Sequence, residues 1–310
     1  MTTLTREPAT NGQMKQLARM ATDAAEKAVK AYADANYLSK EGAERVKGNA
    51  DFVGRIHAAT VLALVELSNT DKFKDEEVSS TYGYLSGYAP KGLTEQCNRL
   101  RELFSGVGFA NLDLLAQIEK GDVPLPTGAE GWFAIPNWMK NPNIFGSTYS
   151  GALLKVLDTI KQTRNGKFYN YRDGQLDEKR LRQSAQSQKF WTELADAQGN
   201  PDILIIPAQF GIKHRGRSVR RAREVFAVNE FGLGAFAVGI MILTHPERLM
   251  NFDDLWIDCS GDEFDDPDSD VRFDHAPYFS FNDGEVKFDT DFVDDAYDYY
   301  GSASGFGPQS

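Results

Sequence analysis

The sequence predicts an α+β protein: a helical N-terminal part, then a mixed α/β core with a C-terminal β-hairpin. Three observations carry this. Before residue 70, apolar residues recur at three- and four-residue spacing, the mark of amphipathic helices. From about residue 130, short aliphatic or aromatic runs alternate with helical patterns, so strands and helices mix. Near the end, YFSF-NDG-EVKF at 278–288 is a hairpin signal, because Asn-Asp-Gly suits the positive φ angles of a tight turn. A smaller α/β core around residues 203–206 is the alternative.

In order, Met14, Leu17, Ala18, Ala21, Ala25, Ala28 and Val29 predict a helix over 13–35 with Asn11 or Thr10 as its cap. Phe52, Ile56, Ala59, Leu62, Ala63 and Leu67 predict a second over 51–67, with His57 at the edge of its apolar stripe. EEVSSTYGYLSGYAPKGL at 76–93 reads as a tyrosine-padded connector, its glycines permitting tight turns. A short helix follows at 94–104. Residues 122–136, with three prolines, read as a linker, although Trp132–Ile135 has strand character. Helices are expected at 149–160 and 177–196, the latter strongly polar, and a strand or aromatic loop at 167–172. Ile203–Ile206, bounded by prolines, predicts a strand covered on both faces. Val219–Phe226 predicts a short amphipathic helix, and Phe231–Leu243 a buried one, apolar all round. Thr244-His245-Pro246-Glu247 has a capping-box pattern, and Leu255–Asp258 reads as a strand. The expected organisation is a helical region at 1–121, a linker at 122–136, a mixed domain at 137–300, and a flexible tail, GSASGFGPQS, at 301–310.

A hydrophobic content of 41% and a charged content of 25% suit a globular chain with a sizeable core. The first residues, MTTLTREPATNGQ, lack the basic and apolar regions of a secretion signal. The longest apolar run, Phe231–Leu243, is too short to span a bilayer. Two cysteines do not make a disulfide framework, which favours a reducing compartment. The expectation is a cytoplasmic protein without a membrane partner. Charge is unevenly spread: residues 251–310 carry 17 acids against Arg272 and Lys287, a net of −15, while residues 1–250 carry a net of +4. Such asymmetry bears on partners.

The densest chemistry is cationic. Lys213, His214, Arg215, Arg217, Arg220, Arg221 and Arg223 fall within 11 residues. With Ser218 as cap, Arg220 and Arg221 sit in a helix's first turn, where each cation costs about 0.3–1 kcal/mol against the helix dipole. Free amides there add to the demand for an anion. Three anions answer it: a phosphate of a nucleotide or nucleic acid, which suits the guanidinium fork; the chain's own acidic C-terminal block; or a protein partner's acidic surface. The leading expectation is nucleic-acid binding through His214, Arg215, Arg217, Arg220 and Arg221, tuned by the acidic block. Phe168, Tyr169 and Tyr171 beside Lys179, Arg180 and Arg182 extend that reading, since single strands stack on aromatic rings.

A second expectation is a divalent-metal-dependent hydrolase built on Asp258, Asp262 and Glu263 just past a strand end, with His214, His245 or His275 as ligand or base. A third is a non-catalytic structural or assembly protein with an internal arginine–carboxylate network. Weaker patterns fail on inspection. Asp266, Asp268, Asp270 and Asp274 have calcium-loop spacing, but Val271 and Pro277 stand where Gly and Glu are required. Gly232-Leu233-Gly234-Ala235-Phe236-Ala237 has dinucleotide-fingerprint spacing, with Asp258 following; yet Asn229-Glu230-Phe231 separates these glycines from the strand, and close helix packing accounts for them. Phosphate-loop, zinc-protease, paired-cysteine and serine-elbow motifs are absent.

GWFAIP (131–136), IPAQFG (206–211), HRGRSVRRAREVF (214–226) and GLGAFAVG (232–239) resemble segments of a group of uncharacterised bacterial proteins with no assigned activity. The resemblance runs from about Tyr82 onward. It implies a bacterial intracellular protein and transfers no functional residue.

Overall fold

A computed structural model describes residues 9–35, 38–68 and 72–307. Residues 1–8, part of the N-terminal stretch read above, and 308–310 of the expected tail lie outside it, as do the side chains of Leu62 and Leu67. The chain is α+β, and it divides into two units, Met1–Asn69 and Thr70–Ser310.

The first unit holds α1 (Asn11–Asp34), α2 (Lys40–Lys47) and α3 (Ala50–Ser68). Thr10 caps α1 through a capping box with Gln13, satisfying two amides that no helical carbonyl reaches. Ser39 caps α2, a helix absent from the sequence expectation. Neither α1 nor α2 has a buried residue.

The second unit opens with α4 (Leu93–Leu103), α5 (Leu112–Glu119), β1 (Gly131–Pro136), α6 (Pro142–Phe145), α7 (Tyr149–Thr163), β2 (Phe168–Asn170) and β3 (Leu181–Gln183). There follow α8 (Ala185–Ala197), β4 (Ile203–Gln209), α9 (Val219–Val225), β5 (Glu230–Gly232) and α10 (Ala235–Thr244). Six strands end the chain: β6 (Trp256–Asp258), β7 (Asp262–Phe264), β8 (His275–Asn282), β9 (Glu285–Phe292), β10 (Tyr300–Ser302) and β11 (Ser304–Phe306). An antiparallel four-stranded sheet runs β1-β4-β11-β5. A mixed seven-stranded sheet runs β10-β6-β8-β7-β3, with β9 on β8 and β2 on β9.

Every residue of β4 is buried, as its proline-bounded aliphatic run predicts. α10 is likewise buried on all sides, packed on α7 and β1. Val156 stands where a Cβ on Gly239 would intrude, at 2.6 Å, so this glycine lets the two helices close. The β8–β9 hairpin forms as expected, turning through Asp283 (φ 53°) and Gly284 (φ 77°).

Several expectations change. Residues 122–136 do not separate domains: β1 pairs with β4 along its whole length, and the unit boundary falls near residue 69. The helix expected from Asp177 begins only at Ala185, because Asp177 accepts the amides of Lys179 and Arg180 in a turn and Ser184 caps α8. Lys179, Arg180 and Arg182 therefore form no helical basic face; Arg182 lies on β3. The apolar stretch from Phe231 splits into β5 and α10. The short helix expected after Thr244 forms as a single 3₁₀ turn at Pro246–Arg248, but Thr244 does not cap it: its hydroxyl bonds back to the carbonyls of Ile240 and Met241 at the end of α10.

The largest change is the tail. Residues 300–306 are buried throughout, and β11 is an interior strand of the four-stranded sheet. Its small residues answer to close backbone approach, not to disorder. A Cβ on Gly211 (φ 122°) would stand 2.6 Å from the carbonyl oxygen of Gly301, and one on Gly305 would stand 2.5 Å from Ile206. Residues 262–310, the greater part of the acidic block, supply five strands, so they are not a detachable competitor for the arginines.

Candidate functional site

The cationic cluster occupies the turn after β4 and the start of α9. Ser218 is the N-cap, accepting the amide of Arg221. The anion that this helix end calls for is Glu76. Ser218 donates to its carboxylate at 2.6 Å, Arg220 Nε donates at 2.8 Å, and Arg220 Nη2 completes the fork. Glu77 takes buried Arg221 and, at 3.4 Å, Arg217. Lys213 and His214 converge on Glu230, itself fully buried, with His214 Nε2 at 2.8 Å. Arg223 donates to the carbonyls of Ser260 and Asp262 at 2.8 and 2.7 Å. Arg215 is exposed and donates to the Tyr82 carbonyl at 2.7 Å.

The electrostatics follow from these partners. Burial pulls the Glu76 and Glu77 carboxyls upward, but the facing arginines hold both below the ordinary carboxylate value. Burial pushes the His214 imidazole down, and burial likewise pulls the Glu230 carboxyl up, but the facing His214 and Lys213 hold it below the ordinary carboxylate value. The C-terminal block contributes Asp294, 3.4 Å from Arg220. Other acids of that block pair elsewhere: Asp266 and Asp289 with Arg172 at 2.8 and 2.7 Å, and Asp265 with Arg272 at 2.8 Å. Of the aromatic residues expected to stack bases, Phe168 is buried, whereas Tyr169 and Tyr171 are half exposed, 4.7 Å apart and close to Lys287.

Asp258, Asp262 and Glu263 meet three different environments. Glu263 pairs with Arg182 across the β3–β7 register at 2.7 Å. Asp262 is fully buried at the N-terminus of α10. It accepts the amide of Ala235 at 2.7 Å and the Tyr149 hydroxyl at 2.7–2.8 Å, while the Phe236 amide donates to Tyr149 at 3.3 Å. Asp258 ends β6, in the same seven-stranded sheet, with Tyr278 opposite. His245 is buried, accepting the Lys91 amide at 3.0 Å, and His275 pairs with Asp274 at 2.7 Å. Among the described residues, no group of three or more His, Cys, Asp or Glu side chains is arranged to hold a metal ion. The residues proposed for a metal are thus dispersed, because adjacent positions on a strand point to opposite faces.

The glycine fingerprint has a context that the sequence conceals. Gly232 ends a strand, and Gly234 caps the helix that follows, so strand, turn and helix are all present. What occupies the helix end is the chain's own Asp262. A Cβ on Gly234 would collide with its carboxylate and with the Tyr149 hydroxyl. A diphosphate would meet that carboxylate instead of free amides, so the dinucleotide reading fails on charge as well as space. Burial pushes the Asp262 carboxyl up to about 7, against the opposing pull of Ala235 and Tyr149. Beside it lies a cavity of about 20 Å³ lined by Trp138, Tyr149, Gln183, Trp191, Gly234 and Phe236, enough for one water. The cavity has no room for an organic substrate.

No protein-family model, curated protein or solved structure matches this chain. No helix among the described residues is long and apolar enough to cross a membrane. The partners that sequence reasoning missed are Glu76, Glu77, Glu230 and Tyr149. Only the adjacent pair Glu76-Glu77 left a signal, as two acids opening an otherwise aromatic, glycine-rich connector.

Proposed function

We propose that the protein is a non-catalytic structural or assembly protein in which the arginine cluster is an internal clamp. It ties the segment around Glu76 and Glu77 to α9 and to the end of β9. One observation supports this above the others: Arg220 and Arg221, the pair best placed for a phosphate, are already held by carboxylates of their own chain. A nucleic acid would have to break those pairs, and freeing a partly buried carboxylate is costly. Nucleic acid and nucleotide thus rank behind a protein partner.

Paired variants test the proposal. Arg220→Gln/Arg221→Gln and Glu76→Gln/Glu77→Gln should each lower stability by about 3–5 kcal/mol in urea unfolding, since either leaves charges without partners. Fluorescence anisotropy with labelled single- and double-stranded oligonucleotides at low salt should show no binding. The opposite pattern defeats the clamp: salt-sensitive binding that is lost in the arginine variant, strengthened in the glutamate variant, and accompanied by unchanged stability.

A further inference from the structure

One face of the seven-stranded sheet carries rings and carboxylates in register. Alternate residues of a strand share a face, and directly paired residues project together. Tyr300 pairs with Trp256, Asp258 pairs with Ser302 on one side and Tyr278 on the other, and Tyr278 pairs with Asp289. Asp291, two positions on from Asp289, shares that face. The intervening Ile257, Phe279 and Phe288 fill the core behind it. Trp256 and Tyr278 stack at 5.7 Å with 7° between their planes, and Tyr300 meets them at 5.1 and 5.2 Å. Tyr299 packs edge-on against Trp256 at 5.0 Å.

Two polar groups on this face lack a hydrogen-bond partner. Asp258 is 6% exposed, no hydrogen bond to its carboxylate is made among the described residues, and the Arg223 guanidinium is the nearby charge that favours its ionised form. Its neighbour Ser302 is fully buried, and its hydroxyl makes no hydrogen bond. Such groups cost free energy to bury and call for a missing partner. The surrounding charge is acidic: Asp291 lies on the same face, and Asp295 and Asp298 are in the adjoining loop. Of the nearby cations, Arg172 pairs with Asp289 and Asp266, Lys287 on the same face of β9 pairs with Glu285, and Arg223 donates to two backbone carbonyls. A hard metal ion would need six or more oxygens, and here the walls are aromatic. Ring faces and carboxylates together favour an organic cation.

We propose that this face binds an alkylammonium group, its nitrogen held by Asp258, Asp291 and Ser302 and its carbon chain lying against Trp256, Tyr278 and Tyr300. The proposal does not rest on the arginine clamp. The full chain is titrated with butylammonium, spermidine, a lysine-containing tetrapeptide, magnesium and sodium at constant ionic strength, followed by calorimetry and tryptophan fluorescence. Saturable binding of the amines is expected, with Asp291→Asn and Asp258→Asn each weakening it about tenfold or more and Trp256→Phe removing the fluorescence change. The tetrapeptide binding more tightly than butylammonium and spermidine assigns the site to a protein lysine; the reverse assigns it to a free amine. Because Asp291 is only half buried, its variant keeps the test readable should Asp258→Asn misfold. No saturable amine binding, magnesium binding more tightly than the amines, or binding indifferent to Asp291→Asn would each overturn the proposal.

Discussion

At the scale of the residue, Asp262 shows how position overrides chemical type. A carboxylate is ordinarily ionised at neutral pH, but full burial raises this one to about 7, although a helix end and a tyrosine hydroxyl both favour its charge. A raised carboxyl means that the folded state binds the proton more tightly than the unfolded chain. Its contribution therefore favours folding at low pH and is lost as pH rises from about 4 through about 7. Asp262→Asn removes that titration while keeping an acceptor for Ala235. Its stability should gain on wild type across this window, by a few kcal/mol at most, in unfolding curves measured between pH 5 and 8. A constant difference would contradict the buried-carboxyl account. Gly232 is the second sensitive position. A Cβ there would stand 2.5–2.6 Å from the backbone of Ser260 and Gly261, which cannot rotate aside. Gly232→Ala should cost about 2–3 kcal/mol in the same measurement.

At the scale of the element, the informative case is β11. Its composition, Ser304-Gly305-Phe306 within a glycine- and serine-rich terminus, is that of a linker, yet it stands between β4 and β5. Both neighbours expose ladder groups that only this segment satisfies. Ending the chain at residue 299 should abolish cooperative unfolding and near-ultraviolet dichroism; a dispensable tail would leave both unchanged. The hairpin, the cap at Thr10 and the buried strand at 203–206 were legible because each is encoded within a few neighbouring residues. The mistaken helix from Asp177 marks the limit of that legibility. Lys179 and Arg180 have good helix propensity, but a single Asx turn at Asp177 and the cap at Ser184 decide where the helix begins.

At the scale of the whole molecule, the buried hydrophobic core lies between Leu93 and Phe306, within the second unit. Residues 72–310 should therefore fold alone, with a transition as cooperative as that of the full chain. Residues 9–68 by themselves should show partial helicity that melts gradually, because α1 and α2 bury nothing and most helical stability comes from tertiary packing. Circular dichroism melts of the two fragments check both. A sharp transition in the shorter fragment would contradict the absence of buried residues in α1 and α2.

The sequence by itself determined the α+β class, the hairpin, the buried strand, and the requirement for an anion at the start of α9, because periodicity, turn chemistry and the helix dipole act over a few residues. Tertiary structure alone decided which anion answers: Glu76, 144 residues before Arg220. It likewise separated Asp258, Asp262 and Glu263 onto different partners, and turned an apparently flexible terminus into an interior strand. Carboxylate pairing and strand neighbours are set by how the chain returns on itself, and residue spacing does not record that return.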